Sequence, residues 1–319
     1  MHKESKLVLL VGIVVLCFTS LMGLFLSNGG GIFRAGLNGK SLSAQVAGSG
    51  SSIQARWNFE GQNCSGSTVN DADLLAPTLN LSVSNTTWKD TSFYEGSCTM
   101  KWSSSGAYLS GGDVLDMGTG SRSVSFWFTT DTSDPTFTLV SKGAYASQAG
   151  RWYIAYCPSG TPATAVCTSG QAGLTAGWQG SSLNVRTSPG ITTGAGGASL
   201  ANTSYHHVVA VWNRSGNLSL WVDGGTNGAP QATVNISADS AYNSNTASPF
   251  LLGEMSSPTS PYTSPYSSEP AFNGSESRMD DIRVYDRVLS AAEITDLYSG
   301  GPQRYNGAQT GTLPAGTTS

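Results

Sequence analysis

Between His206 and Asp223 the chain reads HHVVAVW, then NRSGN, then LSLWVDG: two runs of β-branched and aromatic residues around a turn of Asn, Ser and Gly. Val209 and Val211 share one face of the first run, and Leu218, Leu220 and Val222 share one face of the second. That period-two rhythm fits a β-hairpin and no helix. Gly216 stands where such a turn would want a positive φ. The same alternation returns in Gln54–Phe59 and in Ser123–Thr129, where Val124, Phe126 and Phe128 fall on one side. No segment between these runs sustains a 3.6-residue period, so the fold class expected is all-β.

One short helix is expected near the end. Ser290 and Glu293 form a capping box, Ile294 and Leu297 give a brief apolar face that Tyr298 closes, and Gly300, Gly301 and Pro302 terminate it. The Pro/Ser/Tyr segment 256–269 reads as a loop outside the sheets, because its prolines cannot donate to a ladder. Only 11% of the 319 residues are charged, against about 25% in an ordinary soluble domain, and 39 are glycine. This excludes a helix-rich cytosolic architecture. Aromatic residues at 9% supply enough core to exclude wholesale disorder. A net charge of −4 gives no electrostatic support for a nucleic-acid partner.

The run from Leu7 to Leu26 carries no charge and, as a helix, is long enough to cross about 30 Å of hydrocarbon. It exceeds the apolar core of a cleaved signal peptide and lacks a small-x-small cleavage site, so a retained signal-anchor over residues 1–27 is expected. Lys3 and Lys6 on the short side favour an N-in orientation, with the remainder outside. Residues 28–52, rich in Gly and Ser, read as a flexible stalk. Residues 53–299 form the folded domain, and 300–319 a disordered tail with little to bury.

Cysteine usage agrees with export. Cys17 sits in the apolar run, which leaves Cys64, Cys98, Cys157 and Cys167 as an even set for disulfides. Of the three possible pairings, Cys157–Cys167 would close a short loop and Cys64–Cys98 would tie the domain's start to an early strand. The spacings fit neither a zinc finger nor a CxxC redox centre. N-x-S/T sequons at Asn63, Asn80, Asn85, Asn202, Asn213, Asn217, Asn235 and Asn273 permit glycosylation in that compartment.

The run from Arg278 to Tyr298 (RMDDIRVYDRVLSAAEITDLY) resembles the terminal strand-plus-helix signature of laminin-G-like, concanavalin A-like lectin domains. Trp57–Gly61, Val124–Phe128, Thr138–Gly143 and Tyr205–Val211 resemble other segments of that family in the same order. The resemblance implies a jelly-roll sandwich of two antiparallel sheets over residues 53–299. It also implies recognition of glycans or proteins at cell surfaces, and a calcium ion at the sandwich edge. The first acid of the terminal signature is Asp280. In the loop after the first strand Asn63 stands where the family usually has aspartate, which weakens the hold on a hard cation; Asp71 or Asp73 are substitutes if the loop doubles back.

Glycoside hydrolysis needs two carboxylates facing each other across the scissile bond. Asp71 and Asp73 make the only i, i+2 acidic pair, in a loop, and Asp280 and Asp281 are neighbours that a regular strand would point to opposite faces. His206 and His207 are likewise split by the pleat and cannot share an ion, and no Ser-His-Asp set is expected. Packing plus a backbone hydrogen bond is their expected role. Trp57, Trp127, Trp212 and Trp221 sit on alternating strands and are expected to pack in the core or on a sheet surface. Trp88, Trp178, Tyr242, Tyr262 and Tyr266 lie in loop-like contexts and are the candidates for ligand contact.

The expectation is therefore a membrane-anchored extracellular recognition module for glycans or glycosylated partners, calcium-assisted and not an enzyme. Two rival classes remain: a structural or surface-display protein of an envelope, coat or virion membrane, and a polysaccharide-cleaving enzyme.

Overall fold

Alternating apolar residues in this chain pair into sixteen strands among the described residues. The computed structural model describes residues 53–299, except 61–63, 73–78, 90–93, 95–96, 103–105, 132–136, 146–147, 160–163, 165, 168, 170–171, 189, 195 and 257–276. The first half holds β1 (Ile53–Trp57), β2 (Thr68–Val69), β3 (Leu81–Ser84), β4 (Thr87–Lys89), β5 (Thr99–Lys101), β6 (Tyr108–Gly112), β7 (Arg122–Thr129) and β8 (Phe137–Lys142). The second holds β9 (Arg151–Cys157), β10 (Gly173–Gln179), β11 (Asn184–Arg186), β12 (His206–Trp212), β13 (Asn217–Val222), β14 (Ala232–Asn235), β15 (Phe250–Leu252) and β16 (Arg278–Tyr285). One α-helix, α1 (Ala291–Ser299), follows β16.

Two antiparallel sheets result, in a jelly-roll-like sandwich. The first runs β14-β13-β12-β7-β16-β5-β4, with β1 also paired to β16; the second runs β11-β10-β9-β8-β15-β6-β3-β2. Strands β1 and β5 share the same edge of β16 end to end: Arg56 faces Arg283, while Met100 faces Met279. Between the sheets lies one apolar core that includes Trp57, Phe126, Phe128, Val208, Ala210 and Trp212. Trp152 of one sheet meets Trp212 of the other edge-on, with ring centroids 5.2 Å apart. As expected, Val124, Phe126 and Phe128 share the inner face.

The other face of the first sheet is also covered. Val209, Val211, Trp221 and Tyr285 pack there with Leu289 and with Ile294 of α1. The capping box forms: Ser290 N donates to Glu293 Oε2 at 2.9 Å, and Glu293 N donates to Ser290 Oγ at 3.3 Å. Arg287 clamps Glu293 with two further bonds, of 2.9 and 2.6 Å, which together with the cap hold its carboxyl down at about 2. The hairpin of β12 and β13 forms with Val209 opposite Trp221. Gly216 departs from expectation. Its φ is not positive, and a Cβ there would meet the Asn213 side-chain nitrogen at 3.1 Å, a tight contact that a small shift of Asn213 would relieve.

Both disulfides are present, Cys64–Cys98 and Cys157–Cys167. Glu60 braces the first, its carboxylate taking the backbone N–H of Ser97 and of Cys98 at 2.7 and 3.0 Å. Such bonds persist in oxidising compartments, which marks this as an extracellular or secreted type of domain. The anchor over 1–27, the stalk over 28–52 and the tail over 300–319 lie outside the described residues. Among the described residues no helix is long and apolar enough to cross a membrane.

Candidate functional site

Of the aromatic residues expected to touch ligand, Tyr262 and Tyr266 lie outside the described residues. The other three are structural. Trp178 is in β10, not in a loop, and is fully buried. Its indole N–H donates to Asp239 Oδ2 at 3.0 Å, and the Arg214 guanidinium lies 4.2 Å from its ring centroid. Trp88 is on strand β4, half-buried against the core edge, with its indole N–H on the Gly66 carbonyl at 2.9 Å. Tyr242 does follow a turn, yet it packs against the core, and its carbonyl accepts from Arg214 at 2.7 Å. Trp57, Trp127, Trp212 and Trp221 are all buried, as expected.

Arg214 and Asp239 organise this end of the sandwich. Arg214 donates to the carbonyls of Gly118, Asp239 and Tyr242. Burial would raise the Asp239 carboxyl. The N–H groups of Trp178, Ser182 and Leu183, with the Ser181 hydroxyl, outweigh that and lower it. Gly180 is obligatory here, since a Cβ would fall 2.0 Å from Asp239 Oδ2.

The acid pair on β16 corrects a pleat argument. Asp280 opposes Trp127 and Arg283 opposes Ser125, so Asp281 and Ile282 together face one residue of β7. Asp281 takes φ +43 in this bulge, and both acids end up on the outer side of the sheet. Asp280 is fully buried and accepts the backbone N–H of Tyr94 and of Asp281, both at 2.8 Å. Asp281 accepts Arg56 Nε at 2.9 Å and is gripped by Arg283 at 3.0 and 2.5 Å. Burial opposes its ionisation, but the two guanidiniums hold it far below the usual carboxylate range. Asp71 is similarly occupied, accepting the N–H of Arg56 at 3.0 Å and of Leu79 at 3.1 Å.

Asn63 and Asp73 lie outside the described residues. Among the described residues no three His, Cys, Asp or Glu side chains gather closely enough to share a metal ion. Of the expected calcium ligands, Asp71 and Asp280 are described, and each accepts backbone N–H groups.

The histidine pair does split across the sheet, as expected. The expected backbone bond is present, His207 N–H donating to Asp223 Oδ1 at 2.9 Å and its carbonyl accepting from Asp223 N at 2.8 Å, and the imidazoles bond to side chains as well. His206 Nδ1 lies 2.8 Å from Asp223 Oδ2 and its Nε2 lies 3.2 Å from Asn202 Oδ1. His207 Nε2 lies 2.9 Å from Ser125 Oγ on the outer side. Trp127 and Tyr298 cover His207, at centroid distances of 4.9 and 6.1 Å. Desolvation, aided by Arg283 and only partly opposed by Asp281 and Asp223, pushes this imidazole down to about 3. The hydroxyl–His and His–Asp contacts belong to different histidines on opposite faces, so they form no continuous Ser-His-Asp relay.

A groove of about 300 Å³ opens beside this buried layer, where the β12–β13 hairpin meets the segment leading into α1. Val211, Trp221 and Leu289 form its buried apolar part, and Val288 stands exposed on its rim. Asn213, Gly216, Asn217 and Ser219 supply the polar side. Asn213 Oδ1 is taken by Ser215 N and Oγ, and Asn217 Oδ1 accepts from Asn235 Nδ2 at 3.3 Å. The amide nitrogens of both remain as donors. The sequence reading missed this site. Its signal was the two asparagines flanking the hairpin turn, beside a strand whose outward valines need a cover.

A sequence profile of the concanavalin A-like lectin/glucanases superfamily, of laminin G type, matches residues 103–295. No curated protein sequence matches the chain. Among solved structures, the binding domain of Paraclostridial Mosquitocidal Protein 1 is similar at 14% identity and a TM-score of 0.53, covering 78% of this chain and 52% of that one. The receptor binding domain of botulinum neurotoxin C/D mosaic serotype aligns at 14% identity and a TM-score of 0.48, covering 78% and 51%. The chain thus spans about half the length of the structures it resembles. With the two-sheet architecture and a profile match across most of the sandwich, this chain belongs to the concanavalin A-like lectin/glucanases superfamily.

Proposed function

We propose that the domain is an extracellular recognition module that binds glycans or glycan-bearing partners without cleaving them, held at a membrane by residues 1–27. The observation carrying this reading is the groove at the β12–β13 hairpin. It joins a buried indole edge to amide and hydroxyl groups, the mixture that a small polyhydroxylated ligand needs. The adjacent acids of β16 support it too, being engaged within the protein: Asp281 is paired with two arginines, and Asp280 accepts backbone N–H groups. The similar solved chain is itself a binding domain.

The surface-display reading expects broad apolar patches matched to a neighbour. Among the described residues the exposed large hydrophobics are only Val288 and Tyr298, and Val288 belongs to the groove. A glycan array probed with the full chain in detergent, with calcium and with EDTA, tests the proposal. Retention of a defined set of glycans is the expected result. Silence across the array, with the protein recovered in a regular assembly, would refute it in favour of display. Stronger retention with calcium than with EDTA would give the expected ion a part in binding, and equal retention would remove it.

A further inference from the structure

We infer that the groove selects an uncharged saccharide, one or two rings long, which it holds by amide donors and apolar contact alone. This rests on the glycan-binding reading and specifies its ligand class. No titratable side chain lines the groove. The charges nearest in sequence are committed elsewhere. Arg214 turns inward onto three carbonyls, Arg287 is clamped by Glu293, and Asp286 accepts from Gln54 at 3.1 Å. A sialylated or uronic sugar would bring a carboxylate to a site with no cation to meet it, losing hydration without a partner.

The polar side is donor-rich. Both asparagine carbonyl oxygens are occupied within the protein, so Asn213 Nδ2 and Asn217 Nδ2 seek acceptors such as ring hydroxyl oxygens or an acetamido carbonyl. Val211, Trp221 and Leu289 give the C–H face of a pyranose an apolar bed. At about 300 Å³ the space is at the small end of ligand pockets, room for one or two rings, so further units of a longer saccharide would lie outside it. Asn213 and Asn217 each begin a sequon, so a glycan attached to either nitrogen would remove a donor and block the groove.

The test uses the full chain made in a host without N-glycosylation, and neutral oligosaccharide cores with and without a terminal carboxylated sugar. Affinities are measured in about 0.05 and 0.5 M NaCl. Two variants at exposed positions accompany the wild type: Asn217→Ala removes a donor, and Val288→Trp fills the groove from its rim. The expected result is binding of the neutral cores, changing less than about twofold with salt. Asn217→Ala should weaken it roughly fivefold and Val288→Trp abolish it, with melting temperatures unchanged. Preference for the carboxylated forms, a steep salt dependence, or undiminished binding by both variants would overturn this inference and leave glycan recognition standing. Failure of every glycan to bind would overturn both.

Discussion

Acidification from pH 7 to pH 5 should destabilise this domain through a single imidazole. His207 is wholly buried between Ser125, Trp127 and Tyr298 and holds its proton only near pH 3, whereas the unfolded chain protonates it near 6.5. Below 6.5 the unfolded state therefore carries a proton that the native state refuses, and stability falls with pH until the native ring titrates. Integrating that difference between pH 7 and 5 gives about 1.9 kcal/mol. The comparison is with His207→Gln, whose amide can still bond to Ser125 Oγ but does not titrate. Urea unfolding of both proteins at pH 7, 6 and 5 isolates the effect from the carboxylates, which titrate alike in each. The wild type's advantage over the variant should shrink by about 1.9 kcal/mol across this range. An advantage that stays constant to within about 0.5 kcal/mol would show that His207 is protonated in the fold, and would refute the account of its burial.

Asp281→Asn strips the shared counter-charge from Arg56 and Arg283. Because these side chains are still 12% and 18% exposed, the loss should lie near the low end for a broken buried pair, about 3 kcal/mol in urea unfolding, and a loss below about 1 kcal/mol would contradict it. The two disulfides close loops of 34 and 10 residues' separation. On chain entropy, replacing Cys64 and Cys98 by Ser should cost about 3.8 kcal/mol and replacing Cys157 and Cys167 about 2.7 kcal/mol, by the same measurement. The reverse order would exclude the entropic explanation.

The elements legible in the sequence were those fixed by local rules. The hairpin from His206 to Val222, the capping box at Ser290 and Glu293, and the opposed directions of His206 and His207 follow from periodicity and reach alone. Two misreadings have one root. Trp178 looked like a loop residue because β10 reads GLTAGWQ, small and glycine-rich; in fact β10 is buried by other segments of the same polypeptide, Ile191 against Gly173 and Tyr153 against Gly177, where small residues are what fits. Asp280 and Asp281 were assigned to opposite faces by strict alternation, and a single positive-φ residue cancelled it. Bulges are set by what the neighbouring strand and the covering side chains demand, here Arg56 from a strand 225 positions away. The groove was illegible for a similar reason. Its walls come from a hairpin and from the lead-in to α1, and no local pattern announces that these meet.

The position of β16 has a consequence for biogenesis. Last in order among the described strands, β16 is nonetheless flanked by β7 on one edge and by β1 and β5 on the other, with Ile53 paired to Tyr285. Until β16 has been synthesised, the earlier strands have a gap at the middle of their sheet and no means of closing it. The sandwich therefore closes only after β16 has emerged, and every earlier stage of the nascent polypeptide lacks a complete first sheet. Premature termination anywhere before the terminal signature would leave open, unpaired edges on both sides of the missing strand, a species for proteolysis rather than a shortened but working domain.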